Sequence, residues 1–296
     1  MKKRILVIGG SGFIGSHLAD KLSKDGHKVI IFDKKKSKYI NPEQIFIKGD
    51  ILNIKKLNEA VKKVNIIFHF GGIANIEYSK NNPKECLEAN IIGTNNLLNI
   101  ISKMKNKPKI FFGSTLYIYS NYGSFYRISK EACEKLIYEY ARDYQINYLI
   151  LRFGTVYGTR SDINNSIFHY ITKILSHKKN SALRFKSSGN ELREFIHVKD
   201  VANICSDLIY KKNNEMNKSF IITGLDKFKV SEIIELIMEI ADKKTKVLFS
   251  KNNSNHYRLT PYSSKIEITE KIVPKTYVDI GSGILDIIDS LKKTNK

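Results

Sequence analysis

The sequence predicts a Rossmann-type doubly wound parallel sheet, an α/β fold, followed by a smaller C-terminal α/β portion. Three observations carry that expectation. The chain opens on a continuous apolar run that ends in spaced glycines and passes into an amphipathic stretch. Short apolar runs then alternate with helix-period segments through the first half, as they do when a parallel sheet is buried between helices. The length, 296 residues at 42% hydrophobic with mixed charge, suits one large domain or one and a half.

The elements follow in order. "RILVIGG", residues 4–10, is short, apolar and closed by glycine, the pattern of a strand buried on both faces. In "GGSGFIGSHLADKLSKDG" the glycines Gly9, Gly12 and Gly15 mark a turn into a helix carrying the apolar residues Phe13, Ile14, Leu18 and Leu22. One glycine permits the tight turn, one lets the backbone approach a pyrophosphate, and one lets helix pack on strand. The helix N-terminus then presents its partial positive charge to that phosphate. The next strand, "HKVIIF", delivers Asp33 about 20 residues past the last glycine, where an acid takes the adenosine ribose hydroxyls. Strand, turn, helix, strand and acid in this order predict a dinucleotide site.

The alternation continues. "QIFIKGD" ends at Asp50, "VNIIFHFGG" at the glycines after His69, "PKIFFGST" at Thr115 and "INYLILRFG" at Gly154, with helical patterns over residues 54–63, 83–104 and 126–144 between them. Ligands of such a sheet lie at the carboxyl ends of its strands. Ser114 and Thr115 end one strand there, and Tyr126 begins the next helix. Lys130 follows four residues later on the same helix face. In a lysine-rich chain with 16 tyrosines that spacing alone says little; its place at the crevice gives it weight. A free phenol titrates near pH 10, and a cation at about 4 Å is worth roughly three pKa units. Lys130 is therefore expected to bring Tyr126 toward neutrality, where a general base works best.

Composition excludes other classes. The net charge is +21, but the lysines are scattered and their densest runs, at 34–36, 178–179 and 211–212, fall in loops or helix ends. No nucleic-acid or membrane partner is expected. The three cysteines, Cys86, Cys133 and Cys205, lack metal-type spacing, so no metal site and a reducing compartment are expected. The apolar run before Gly9 is too short for a signal peptide or a membrane span, which makes the expected location cytoplasmic. His69 and His197 read as structural.

"GGSGFIG", "GDI", "HFGG", "NIIGTNNLL", "GST", "YRISK", "EACEKLI", "LRFGTVYG", "REFIHVKDVA" and "SSKIE" occur in the order seen in extended short-chain dehydrogenases/reductases. Over essentially its whole length the chain resembles their nucleotide-sugar epimerase/dehydratase branch. That resemblance implies an NAD cofactor, with the pyrophosphate turn at Gly9, Gly12, Phe13, Ile14 and Gly15, and Asp33 on the adenosine ribose. Asp50 and Ile51 correspond to the pair beside adenine, Phe70 and Gly71 to the strand-end loop beside the cofactor, and Asn90 to the asparagine opening the long helix. Tyr126 corresponds to the catalytic base, Lys130 to the residue that lowers its pKa and holds the nicotinamide ribose, and Thr115 to the group that orients the sugar hydroxyl. Arg193 and Arg258 correspond to the arginines that clasp a substrate diphosphate, a task that suits a forked guanidinium.

The resemblance divides the chain into residues 1–155, an NAD-binding domain, and residues 156–296, a substrate-binding portion with some segments returning to the first. That portion is expected to hold helices near residues 163–177, 198–210 and 230–241 and short strands near Leu183 and Phe220. The strand in "NELREFIHV" is expected to return from it. A homodimer through the helices at 83–104 and 126–144 follows from the same resemblance.

Three departures bear on the reaction. Leu116 and Tyr117 stand where related 4,6-dehydratases carry an Asp-Glu pair, which argues against dehydration. "SNYGS" is a short connection before the tyrosine, so the cleft is expected to be open or to take a bulkier sugar. Thr155 replaces a substrate-binding asparagine and is counted among the sugar contacts. The expected activity is NAD-dependent 4-epimerisation of a nucleotide-diphosphate sugar. The alternative is a net 4-dehydrogenase or 4-ketoreductase, on a heptose for instance, in surface-polysaccharide synthesis. A non-catalytic dinucleotide-binding regulator is the remaining class, and such a protein would be expected to lose the Tyr126/Lys130 pair.

Overall fold

The computed structural model of the chain describes residues 2–178, 181–250, 269–274 and 276–294. Its first strand, β1 (Arg4–Ile8), alternates its side chains between two cores: Ile5 and Val7 face one, Leu6 and Ile8 the other. Each such buried side chain contributes roughly 1.5–3 kcal/mol. A strand apolar on both sides belongs in the middle of a covered parallel sheet, and β1 lies between β2 (Lys28–Asp33) and β4 (Ile66–His69), parallel to both.

The sheet extends outward from this pair. Beyond β2 lies β3 (Ile45–Lys48); beyond β4 lie β5 (Lys109–Thr115) and β6 (Tyr148–Phe153), all parallel. Helices α1 (Phe13–Lys24) and α2 (Ile54–Val61) cover opposite faces. After α3 (Ile76–Asn81), the expected helix at 83–104 is not continuous. It forms α4 (Pro83–Leu87), a π-helical turn at Glu88–Ile92, and α5 (Gly93–Ser102). Asn90 therefore sits in a π turn within the helix rather than at its opening. The long helix α6 (Ser124–Tyr144) packs beside α5 on the face that buries Leu97, Leu98, Cys133 and Ile137.

The second half begins with β7 (Thr155–Tyr157), α7 (Ser166–Leu175) and β8 (Leu183–Phe185). The strand expected to return, β9 (Leu192–His197), instead pairs with β7 and with β11 (Lys227–Lys229) in a separate three-stranded sheet. The elements that go back are α8 (Val198–Leu208), which packs on α1, and β10 (Lys218–Ile222), which adds to β6. Through β13 (Glu270–Ile272), parallel to β10, the main sheet reaches eight strands in the order β13-β10-β6-β5-β4-β1-β2-β3. A third core joins α7, α9 (Val230–Ile240) and the helix Ile280–Thr294, beside β8 paired with β12 (Val247–Phe249). Among the described residues no helix is long and apolar enough to cross a membrane.

Candidate active site

The turn between β1 and α1 is built for close backbone approach. Gly9 has a φ of +79°, and a Cβ there would lie 2.6 Å from the Gly71 amide nitrogen. A Cβ on Gly15 would collide with the Gly9 carbonyl. Gly12 is the N-cap of α1, and no side chain caps the helix, so its first N–H groups stay available to a phosphate. Asp33, ending β2, accepts the Ser11 amide at 3.1 Å on one oxygen and the Lys35 amide at 3.2 Å on the other. Each carboxylate oxygen keeps a lone pair for a ribose hydroxyl. Lys34 turns away from Asp33 and pairs with Asp50 at 2.9 Å. This cradle and acid fit an NAD molecule.

The other expected cofactor residues gather around it. Phe13, Ile14 and Phe70 pack against the core beneath the turn, while Ile51, 7% exposed, joins the opposite core under Gly93. Gly71 lies against Gly9. Asn90 is buried; its side-chain oxygen accepts the Ile73 amide at 2.7 Å, and its amide donates to the Ile73 carbonyl at 2.9 Å and to Ser129 at 2.8 Å. It fixes the loop that follows Gly71.

The reactive groups stand at the end of β5. Thr115 accepts the Tyr117 amide at 3.2 Å, and its side chain stands in contact with the buried Tyr126 phenol, favouring its ionised form. Tyr126 enters this contact from the first turn of α6, after Gly123 at φ +104° and Ser124 at φ 52° turn the chain sharply. One turn further, the Lys130 ammonium donates to the Gly113 carbonyl at 2.8 Å and lies 4.7 Å above the Phe112 ring.

The expected depression of the phenol is not what these positions give. Burial pushes Tyr126 up to about 12, the Thr115 side chain opposes that, and Lys130 is not among the groups that lower it. The lysine is itself buried, which lowers its own pKa. His69 is structural, bonded to Thr94 at 2.9 Å and held neutral by burial at about 3.

A cleft of about 840 Å³ opens beside these groups, between Gly12 and Phe13 on one side and Tyr117, Thr155 and Arg193 on the other. That is the size of a small-molecule site. Thr155, opening β7, lines it, as does Arg193 of β9, 8% exposed with one guanidinium N–H on the Leu192 carbonyl at 3.0 Å. Arg258 and the "SSKIE" motif lie outside the described residues. Among those residues no cluster could hold a metal ion.

Several cleft residues were missed in the sequence. Tyr117 was noted only as a departure from the dehydratase pattern, and Asn165 carries no motif signal; Asn165 binds the Val156 carbonyl at 2.7 Å and caps α7. Arg160, pinned to Asp20 at 2.7 Å, also lines it. Glu134 and Arg152, a buried ion pair at 2.7 Å behind Ser114, did leave a trace. A lone charge inside an apolar strand, as in "YLILRF", signals a buried partner.

The pattern of the family described as "NAD dependent epimerase/dehydratase family" matches residues 5–222. A provisionally named UDP-glucose 4-epimerase of Methanocaldococcus jannaschii is 31% identical over 314 aligned positions, covering 99% of both chains. The UDP-glucose 4-epimerase of Thermotoga maritima, solved with UDP-glucose, superposes with a TM-score of 0.84 at 23% identity, covering 99% of this chain and all of that one. The UDP-glucuronic acid 4-epimerase of Bacillus cereus, solved with UDP-glucuronic acid and NAD, gives 0.82 at 22% identity, covering 98% and 99%. Both superpositions establish a shared fold.

Proposed function

The chain belongs to the NAD dependent epimerase/dehydratase family, and from that premise we propose that it epimerises a UDP-sugar at C4 with NAD, using Tyr126 as the base. The observation that carries this reading is the placing of Tyr126 and Lys130 one helical turn apart on α6 against the end of β5, with Lys130 on the Gly113 carbonyl at 2.8 Å, together with the glycine cradle and the Arg193 cleft. NAD, when bound, supplies a site that accepts and returns hydride, and its cationic nicotinamide favours a phenolate nearby. Thr115 orients the sugar hydroxyl, whose proton passes to the Tyr126 oxygen and returns from it after the sugar has turned over. Lys130 adds a cation one helical turn away, and Arg193 offers its guanidinium to the diphosphate. Tyr117 closes the wall beside the sugar.

The test is to incubate the protein with NAD and UDP-glucose, then with UDP-glucuronate, and separate the 4-epimers. Tyr126→Phe removes one hydroxyl and keeps the ring's packing; turnover should fall at least about 10²-fold while NAD binding persists. Near-normal turnover by that variant removes Tyr126 from the mechanism. Sustained NADH accumulation in place of epimer interconversion would favour the net dehydrogenase.

The reading extends to a cytoplasmic homodimer acting in surface-polysaccharide synthesis. Ile92 and Ile128, 49% and 45% exposed near α5 and on α6, support self-association, and three buried free cysteines suit a reducing compartment. The short link before α6 supports a modified or longer sugar, such as a heptose, as a further substrate to assay. Sedimentation of the protein at micromolar concentration tests the dimer, which Ile128→Glu should split.

A further inference from the structure

Tyr126, Lys130 and Glu134 lie four residues apart along one face of α6, and each reaches a different residue at the end of β5. Tyr126 faces the Thr115 side chain, and Lys130 donates to the Gly113 carbonyl at 2.8 Å. The Ser114 hydroxyl donates to Glu134 Oε1 at 2.5 Å. Glu134 is 3% exposed, so its charge must be compensated. Arg152, on the neighbouring strand β6, grips it with two prongs, Nε to Oε1 at 3.1 Å and Nη2 to Oε2 at 2.7 Å. The guanidinium is braced in turn. Its Nη1 donates to the Tyr119 hydroxyl at 2.5 Å and to Thr269 at 3.3 Å, and the Tyr138 hydroxyl donates to Glu134 Oε2 at 3.3 Å.

A carboxylate four residues from a lysine on a helix is its natural partner, and burial would strengthen their attraction. Yet Lys130 does not close on Glu134; its short contact is the Gly113 carbonyl. We propose that Arg152 is a positioning residue whose two-pronged grip holds Glu134 out of contact with Lys130, leaving the lysine docked on the Gly113 carbonyl at the end of β5. This rests on the reading of Tyr126 as the base.

The other groups facing the site cannot replace Arg152 in that task. Around Lys130 stand His69 of β4, Cys86 of α4 and Cys133 of α6. Burial holds the histidine neutral and raises both thiols, so they remain uncharged at neutral pH. Cys86 also faces Tyr126, and burial keeps its thiol protonated. Among the described residues Glu134 is the carboxylate that acts on Lys130. Without Arg152, Glu134 would turn to the lysine and draw it from Gly113, and the site would lose one positive charge beside a buried carboxylate, leaving Tyr126 a weaker acid and slower to form phenolate.

The test uses the full chain with NAD bound. Phenolate absorbance is titrated as the difference between each protein and its own Tyr126→Phe counterpart, which isolates Tyr126. The set is wild type, Arg152→Met, Glu134→Gln and the double variant. Arg152→Met should raise the Tyr126 pKa by about one unit and move the acid limb of kcat/KM equally, and the double variant should restore both. An unshifted Arg152→Met overturns the proposal. So does a double variant that keeps the shift, because purely structural damage would survive removal of the Glu134 charge. If Arg152→Met does not fold, Arg152→Lys replaces it: the charge stays, the fork is lost, and a smaller shift in the same direction is expected. The titration needs no turnover. A protein that binds NAD but converts no UDP-sugar would defeat the functional reading, and the titration would still decide this one.

Discussion

Arg193 is buried beside a nucleotide-sized cleft, with one guanidinium N–H satisfied by the Leu192 carbonyl. Its remaining donors suit a diphosphate. Arg193→Leu should therefore raise KM for a UDP-sugar roughly ten- to hundredfold, the scale of a charge-assisted hydrogen bond, and leave NAD affinity nearly unchanged. Lys178→Leu is the control, an exposed residue in the same basic chain. If the control matches the arginine variant, general charge rather than a specific contact attracts the substrate. At this scale much was legible: Tyr126, Lys130, Thr115 and Asp33 stand where strand ends and a helix start had placed them. The protonation of Tyr126 was not, because it depends on burial and on where a flexible lysine points. The preference for NAD was legible from Asp33, and the Lys34–Asp50 pair adds to it by engaging the nearest cation. Titrating the protein with both dinucleotides should show tighter binding of NAD, and tighter NADP binding would mean that Lys35 or Lys36 reaches the phosphate.

At the scale of elements, the π turn at Glu88–Ile92 is the clearest departure from the periodic pattern. Apolar spacing over 83–104 is nearly continuous, so periodicity alone reads one helix. The interruption comes from Asn90, whose side chain is committed to both backbone groups of Ile73 and to Ser129, a tertiary demand with no local signature. Asn90→Ala leaves the buried Ile73 amide without its partner. The expected cost is about 2–4 kcal/mol in denaturant unfolding, with weaker NAD binding because the loop follows Gly71. A loss below about 1 kcal/mol would show that the helix reseats without it. The helix Ile280–Thr294 escaped notice for a similar reason, since Gly281 and Gly283 look like breakers. Gly283 is there because a Cβ would lie 2.6 Å from the Tyr157 hydroxyl, a packing need that the sequence does not display. The return of β10 and β13 to the main sheet was equally hidden, because both are short strands whose partners lie far away in sequence.

Across the whole molecule, four buried histidines among the described residues link stability to pH: burial lowers the pKa of His27, and it lowers those of three others far. His17, on α1, bonds the Thr159 carbonyl at 2.9 Å; His197 caps α8 by accepting the Lys199 amide; His69 lies under the active-site strand. Burial holds them at about 4, about 4 and about 3, against an ordinary value of 6.5. The folded protein therefore keeps them neutral where the unfolded chain would protonate them. Unfolding takes up protons below pH 6.5, so stability is full above that value and falls as pH drops toward 4. Each of these three withdraws about 1.4 kcal/mol per pH unit, or about 2 kcal/mol by pH 5. Carboxylates contribute little before pH 5, which leaves the window from 6.5 to 5 to the histidines. Thermal midpoints should be nearly level from pH 7 to 8 and decline steeply through that window. His197→Asn keeps a side chain able to cap α8 while removing the titrating ring. Its decline between pH 6.5 and 5 should be shallower than wild type, because one of several lowered histidines no longer titrates. An unchanged slope would mean that His197 can take its proton without leaving the fold, and that the acid sensitivity resides in the other lowered histidines, His17, His27, His69 and His169.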